Sequence, residues 1–160
     1  MVRNVDEEEL DADEVKYFNM ARRWNKRNDA SEKGAAIFRI WMDSLEREVW
    51  SDELAIADRP IVLPQEATLV EALKRDSAFA FVDNISTPGR ETLTMVVTAA
   101  FKKAARIIEA LDSQGRLDWT RYKDTGIRHL LRLEALSRFH LTTRGGDHII
   151  NATKQFHGPS

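Results

Sequence analysis

The chain has 160 residues, 42% of them hydrophobic and 31% charged, which is the composition of a globular protein with a core of its own. Its 24 Lys and Arg against 26 Asp and Glu argue against a nucleic-acid-binding protein and give no polybasic patch for a membrane. It has no cysteine, which excludes disulfides and thiolate chemistry, and no apolar run approaches the ~20 residues of a membrane span.

The spacing of apolar residues predicts two helices in the front half. The first is expected over residues 7–23, because Leu10, Tyr17 and Phe18 share a face and the acidic residues 6–9 suit a helix N-terminus. The second follows Ser31, the expected N-cap. Its apolar residues recur at steps of three and four: Ile37, Phe38, Trp41, Met42, Leu45 and Val49.

Prolines and a glycine mark two further helices. Residues 52–64 are expected to form a connector, and Pro64 to lie in the first turn of a third helix with an apolar stripe at Leu69, Val70 and Leu73. The structure type of residues 77–86 stays open. The pair Thr87-Pro88 predicts the start of a fourth helix, which runs to about residue 112 before Gly115. Its buried face is expected at Leu93, Val96, Val97, Ala100, Phe101, Ala104, Ile108 and Leu111.

The pattern beyond Gly115 predicts strands. Residues 130–136 and 148–152 are short apolar runs, and Gly145-Gly146 between them is a turn or hairpin signal. The predicted fold class is therefore mainly α: a bundle of about four helices with one or two short C-terminal β-strands. A helical subdomain is expected over 1–115 and a β-hairpin-like segment over 116–160, within a single structural unit. So few strands leave open sheet edges, which points to an excised part of a larger core.

The four histidines are the first candidates for a metal site. His129, His140, His148 and His157 lie eight to eleven residues apart, and none forms a His-x-x-x-His or His-Glu-x-x-His motif. Half-buried polar residues and loop residues are the simpler interpretation. His129 stands in a strongly patterned stretch and is the one to examine first.

Nucleophile, phosphate and calcium motifs are also missing from the sequence. There is no Gly-x-Ser-x-Gly, so Ser137 and Thr142 are interpreted as strand or turn residues, and Gly145-Gly146 is no phosphate-binding loop. The acidic runs 6–9 and 11–14 lack the calcium-loop pattern. The tryptophans Trp24, Trp41, Trp50 and Trp119 are expected in the core. The residues themselves predict no catalytic, cofactor-binding or metal-ligating position.

The order of motifs nevertheless matches a pattern. Trp24 is followed by Asn28-Asp29-Ala30-Ser31 and Ala36-Ile37-Phe38-Arg39-Ile40-Trp41, then by Asp83 and Glu91-Thr92. Next come Trp119, His129, Gly145-Gly146-Asp147, Asn151-Ala152 and Gly158-Pro159-Ser160. From about residue 10 onward, this order resembles the β-chain of penicillin acylases (penicillin amidases) and acyl-homoserine-lactone acylases. The Trp-Gly common there before the His stretch is replaced by the looser Tyr122-Lys123-Asp124-Thr125-Gly126, which leaves the subfamily open.

The resemblance implies a fragment of an N-terminal-nucleophile hydrolase with an αββα core. Such an enzyme hydrolyses an N-acyl amide, penicillin-like or acyl-homoserine-lactone-like, through an acyl-enzyme formed on a serine whose own α-amino group is the base. The motif around that serine lies upstream of this segment in the family, so no catalytic residue is carried over. The fragment alone is expected to be an inactive scaffold without cofactor.

The resemblance also implies partners and a compartment. The expected partners are the remainder of the parent acylase chain and, in the parent, a small N-acyl amide; strand-mediated self-association is a further expectation. Family members are exported, which implies a periplasmic or secreted protein. The alternative from another class is a free-standing helical protein-interaction module without catalysis, and an unrecognised small enzyme is the third.

Overall fold

The computed structural model describes residues 1–56, 58, 62, 64–76 and 79–146. In this part, the chain is mainly α with one two-stranded antiparallel sheet towards the C-terminus, as the sequence predicts. The helices are α1 (Ala12–Arg23), α2 (Lys33–Ala55), α3 (Glu66–Arg75), α4 (Leu93–Ser113) and the short α5 (Trp119–Lys123). The strands are β1 (Thr125–Ile127) and β2 (Arg138–Leu141), and short 3₁₀ turns cover Val2–Asn4, Glu7–Glu9, Ala80–Val82 and Glu134–Leu136.

Contacts between Cα atoms divide the chain into two compact units. Unit 1 contains residues 1–16 and 39–107, and unit 2 contains residues 17–38 and 108–160. Helices α1, α2 and α4 therefore contribute residues to both units. The division into 1–115 and 116–160 stays a prediction.

The start of α1 differs from the prediction by five residues. The Glu14 N–H donates to Asp11 Oδ1 at 2.8 Å and the Asp11 N–H donates to Glu14 Oε2 at 3.0 Å. This capping box satisfies two end N–H groups at once, so the helix begins after Asp11. The acidic run that was expected to open the helix forms the separate 3₁₀ turn Glu7–Glu9.

The starts of α2 and α3 are also shifted. Helix α2 begins at Lys33, so Glu32 and not Ser31 precedes its first residue. Helix α3 begins at Glu66 with the extended residue Gln65 as its N-cap, which leaves Pro64 outside the first turn. Of the predicted connector, the first residues to Ala55 belong to α2, and 57, 59–61 and 63 lie outside the described residues.

The core of unit 1 is built on the predicted apolar faces of α2 and α4. Trp41 and Phe101 are fully buried, with ring centroids 5.0 Å apart in an edge-to-face arrangement, and Trp41 Nε1 donates to the Val97 carbonyl at 3.3 Å. Each such ring contributes on the order of 2 kcal/mol by its removal from water. Around them lie the buried side chains of Ile40, Met42, Leu45, Val49, Leu69, Val96, Ala100 and Ala104.

The stripe predicted on α3 is partly buried. Leu69 is fully buried, whereas Val70 and Leu73 are half-buried. All three line an apolar cavity of about 250 Å³ in unit 1, together with Met42 and Leu45 among others. The stripe therefore faces α2, as an amphipathic helix requires.

Helix α4 begins at Leu93, five residues later than the Thr87-Pro88 pair predicts, and ends where expected. The Thr87 hydroxyl donates to the Asn84 carbonyl at 3.0 Å, and it is Thr92 whose Oγ1 accepts from the Met95 N–H at 3.3 Å. Thr92 is therefore the N-cap.

The end of α4 is a Schellman motif at Gly115, which has a φ of +64°. The Gly115 N–H donates to the Asp112 carbonyl at 2.9 Å, and the Arg116 N–H donates to the Leu111 carbonyl at 2.8 Å. Glycine adopts this left-handed conformation without a Cβ clash, so the prediction that Gly115 ends the helix is confirmed.

The sheet of unit 2 lies elsewhere than predicted. Strand β1 pairs antiparallel with β2, Thr125 opposite Leu141 and Ile127 opposite Arg138. The strand predicted over 130–136 is wrong, because these residues form the loop between β1 and β2. The buried Ser137 hydroxyl accepts from the His129 N–H at 3.0 Å and closes this loop locally. The strand predicted over 148–152 lies outside the described residues.

Candidate functional site

The two histidines within the described residues make different contacts, His129 in the loop after β1 and His140 in β2. The His129 backbone N–H is bound by Ser137, and its Nδ1 accepts from the Leu131 N–H at 3.4 Å. The exposed His140 has Nδ1 2.7 Å from Asp124 Oδ1. Among the described residues, no group of three or more His, Asp or Glu could hold a metal ion, and His148 and His157 lie outside that part.

The hydroxyl residues that were considered as nucleophiles are turn and loop residues. The Ser137 hydroxyl donates a hydrogen bond to the Leu133 carbonyl at 2.9 Å and accepts one from the His129 N–H. Its hydrogen and its oxygen are therefore both used within the loop. Thr142 is exposed directly after β2 and lines a polar cavity of unit 2. Ser137 thus has the structural role that its sequence context predicts.

An acidic corner in unit 1 brings together two residues of the motif pattern, Asp83 and Glu91. The Glu91 N–H donates to Asp83 Oδ1 at 2.9 Å, and the Asn84 N–H donates to Glu91 Oε2 at 2.9 Å. The Thr87 hydroxyl donates to Glu91 Oε1 at 2.6 Å. These four residues, the acidic corner, close the loop that precedes α4.

Hydrogen bonding favours the ionised form of Glu91. The bond from the Thr87 hydroxyl, followed by that from the Asn84 N–H, lowers the pKa of Glu91 below the ordinary glutamate value. A general acid or base at neutral pH needs a pKa near 7, and the pKa of Glu91 is shifted away from that value.

The corner borders a cavity of about 520 Å³ that is also lined by Asn4, Phe79, Val82, Arg90, Thr92, Leu93 and Thr94. Its carboxylates act as a clasp for the loop.

A second network joins three distant segments of unit 2 at Trp119. Trp119 Nε1 donates to the Gly145 carbonyl at 2.7 Å, and the Gly145 N–H donates to the Asn28 carbonyl at 2.9 Å. The Trp119 N–H donates to the Glu32 carbonyl at 3.1 Å. We call Asn28, Glu32, Trp119 and Gly145 the tryptophan junction. It assembles three pieces of the motif pattern that are widely separated in the sequence.

Two glycines and a buried lysine allow the loops of the junction to approach each other closely. Gly145 has a φ of +84°, which disfavours a side chain there, and a Cβ on Gly146 would lie 2.8 Å from Asn28 Nδ2, so the end of the Asn28 side chain would have to shift. Lys123 is only 6% exposed and its Nζ donates to the Gly145 carbonyl at 3.3 Å. Nothing in the sequence pattern indicated this burial, because lysine is ordinarily exposed.

The tryptophans pack as predicted for core residues. Trp41, Trp50 and Trp119 are buried, and Trp24 is half-buried, with its ring centroid 5.4 Å from that of Phe38. A Cβ on Gly34 would lie 2.6 Å from Trp24 Cβ, so the first turn of α2 can carry only glycine against this tryptophan.

The described helices and the two networks define a class of protein segment. It is mainly helical, and its acidic and glycine-containing motifs hold loops together. No helix within the described residues is long and apolar enough to cross a bilayer.

The comparison with protein families identifies the chain. The penicillin amidase family matches residues 1–160, the whole of the chain. The chain therefore belongs to the penicillin amidase family, as the resemblance in its motifs predicts. It is related to the acylases, and its family is one of hydrolases. Neither the curated proteins nor the solved structures contain a match to it.

Proposed function

We propose that this chain is a scaffold segment of an acylase that hydrolyses the amide bond of an N-acyl substrate, penicillin-like or acyl-homoserine-lactone-like. One observation supports this role above others: the motif residues use their polar atoms to bind one another. Trp119 and Gly145 join distant loops, and Asp83 and Glu91 clasp the loop before α4. The segment contributes no catalytic residue in this proposal.

Amide hydrolysis by this family's chemistry needs a nucleophile, a base and donors for the oxyanion. The proposal assigns all three to the remainder of the parent chain, whose N-terminal serine would supply its own α-amino group as base. Residues 1–115 would be the helical subdomain and 116–160 a segment of the parent's larger core. The parent would be periplasmic or secreted, in keeping with its family, and would need no cofactor from this segment.

The loop between β1 and β2 supports a partner. Leu130 and Leu131 are 97% and 76% exposed, and Ile127 and Leu136 are also more than half exposed. Exposed apolar side chains gathered on one element mark interaction surfaces. The proposed partner is the remainder of the parent acylase, and in its absence the hairpin edge could pair with a second copy of the chain.

The test compares the 160-residue chain with the longest gene product that contains it. Both are assayed with a chromogenic N-acyl amide. We expect turnover by the longer protein alone. Turnover by the isolated 160 residues would contradict the scaffold proposal and return attention to His129 and its neighbours.

A variant sharpens the test in the longer protein. Trp119→Phe removes the Nε1 donor to Gly145 and should lower the melting temperature, while kcat/KM per folded molecule changes less than about twofold. Trp24→Phe is the matched control, since its Nε1 bond to the Arg27 carbonyl is exposed. A large loss of kcat in folded Trp119→Phe would show that the junction takes part in catalysis. If the gene ends with this chain and the isolated chain captures a partner through the loop between β1 and β2, the alternative of an interaction module is favoured.

A further inference from the structure

Unit 2 contains a polar cavity that the motif networks do not use. It has a volume of about 420 Å³. Small-molecule sites typically range over roughly 300–1,000 Å³. We call it the arginine cavity, and it is lined by Gln114, Gly115, Arg116, Thr120, Arg121, Asp124, His140 and Thr142.

The lining carries an excess of positive charge. Arg116 and Arg121 each contribute a guanidinium that stays charged at all relevant pH values, against the single carboxylate of Asp124. That carboxylate already has a partner, because its Oδ1 lies 2.7 Å from His140 Nδ1. A guanidinium presents parallel N–H donors that match the two oxygens of a carboxylate or phosphate. The cavity is therefore suited to an anion with several oxygens.

Arg121 is held in place before any ligand arrives. Its NH1 donates to the Gly115 carbonyl at 2.7 Å, at the residue where the Schellman motif ends α4. Its Nε is 3.9 Å from Asp118 Oδ2, at the outer limit of an ion pair. One NH₂ group of the guanidinium is thus anchored and the other is left for a ligand, which reduces the ordering cost of binding.

His140 and Asp124 face each other from strained backbone positions. Both have positive φ, +55° and +46°, although neither is glycine. Such conformations cost about 1 kcal/mol or more each and concentrate at functional sites. Here they set the imidazole at the cavity wall with Nδ1 towards Asp124, which leaves Nε2 as the ring nitrogen that can reach a ligand.

We propose that the arginine cavity binds a small organic molecule through a carboxylate or phosphate group. Arg116 and Arg121 hold the oxyanion, and His140 and Thr142 add hydrogen bonds. The cavity volume leaves room for a carbon skeleton beside the anionic group, since 420 Å³ equals about 14 water molecules at ~30 Å³ each. This site is independent of the proposed scaffold role.

The test is a ¹H–¹⁵N NMR titration of the 160-residue chain. The probes are inorganic phosphate, succinate and acetate, each compared with sodium chloride at equal ionic strength. We expect saturable shifts at the backbone amides of residues 114–116, 120–121 and 140–142. A tighter Kd for phosphate assigns a phosphate ligand, and a tighter Kd for succinate or acetate assigns a carboxylate. Shifts that do not saturate, or that chloride reproduces, overturn the proposal.

Variants separate the cavity from general attraction to positive charge. Arg116→Gln and Arg121→Gln should each weaken binding about tenfold or more, the usual effect of losing a charge-assisted hydrogen bond. The control Arg23→Gln removes the same charge from the exposed end of α1 and should leave Kd within about twofold. His140→Asn, which tolerates positive φ, should weaken binding less than the arginine variants. Equal weakening by Arg23→Gln and Arg116→Gln overturns the site, and Arg116→Gln decides the question if Arg121→Gln does not fold.

Discussion

The apolar core of unit 1 and the tryptophan junction of unit 2 are stabilised by contacts of different kinds. In unit 1, buried apolar side chains on two long helices, Trp41 and Phe101 among them, form the core. In unit 2, the tryptophan junction joins loops through directional bonds between backbone groups, an indole N–H and a buried lysine. Apolar packing spreads its stabilisation over many side chains, whereas the junction concentrates it at a few atoms. The stability of the core of unit 1 should therefore depend on the volume of its side chains. The stability of the junction should depend on particular hydrogen-bond donors and on glycine.

The largest expected effect is a cavity in the core of unit 1. Phe101→Ala should reduce the free energy of unfolding by about 3–5 kcal/mol, because a fully buried ring is lost and the surrounding helices refill its space only in part. Met95→Ala on the same helix is the control, since Met95 is 53% exposed and should lose at most about 0.5 kcal/mol. Urea unfolding followed by circular dichroism measures both. Similar losses in the two variants would contradict the core as described.

The next effect tests close packing in unit 2. Gly34→Ala should reduce the free energy of unfolding by about 1–3 kcal/mol, because the new Cβ would lie 2.6 Å from Trp24 Cβ, which cannot swing away. The higher helix propensity of alanine offsets about 1 kcal/mol of the destabilisation that the clash causes, and the range above includes this offset. Gly89→Ala has open space around the new Cβ and should be neutral or slightly stabilising. A neutral Gly34→Ala in thermal unfolding would show that α2 and Trp24 are not in contact.

A smaller effect tests the junction itself. Trp119→Phe should cost about 1–2 kcal/mol, for the lost hydrogen bond to the Gly145 carbonyl and the smaller ring. Hydrogen exchange of the Gly145 N–H, which is bound to Asn28, should become faster in this variant. Trp24→Phe should leave that rate unchanged. An unchanged Gly145 rate in Trp119→Phe would mean that the indole bond does not hold the loop.

Helices α2 and α4 were predictable because the periodicity of apolar residues follows the buried face of a helix. The spacing on α2 and α4 identified most of their buried residues, from Ile37 to Val49 and from Val96 to Ile108. Helix starts were less predictable, since several residues offered the same signal. Thr87 and Thr92 both resemble N-caps, and only the bond from Thr87 to Glu91 shows why the first is otherwise engaged. The Asp11-x-x-Glu14 pattern could have been recognised in the sequence as a capping box.

The strands of the hairpin and the contacts of the junction could not be predicted from local sequence patterns. The apolar run at 130–136 suggested a strand, but these residues form a loop in which Leu130 and Leu131 are exposed, because an apolar run is buried only if another element covers it. The junction pairs residue 28 with residue 145, and no short window of sequence contains both. Motif resemblance did bring these residues to notice, yet their contact is a property of the fold.

The smallest effect contrasts two glutamates of unit 1 whose pKa values move in opposite directions. Hydrogen bonds, first that of Thr87, lower the pKa of Glu91, so its contribution to stability is present above the ordinary value of about 4.3 and is lost as the pH falls through its folded pKa. Burial, followed by repulsion from Asp43, raises the pKa of Glu46, so its ionisation opposes folding at neutral pH.

The sign of each variant follows from these shifts. Glu91→Gln should destabilise at pH 7 and progressively less as the pH is lowered below about 4. Glu46→Gln should stabilise at pH 7, and that gain should fade as the pH falls from the raised folded pKa of Glu46 to the ordinary glutamate value of about 4.3, before the Glu91 effect begins to change. Both glutamates are largely in contact with water, so salt screens the effects and their size will be small. The measurement is therefore the slope of the unfolding free energy against pH, from urea unfolding between pH 3 and 7 in low salt. Parallel slopes for the two variants would mean that the Thr87 clasp does not favour the ionised form of Glu91, and the acidic corner would then owe its geometry to the backbone alone.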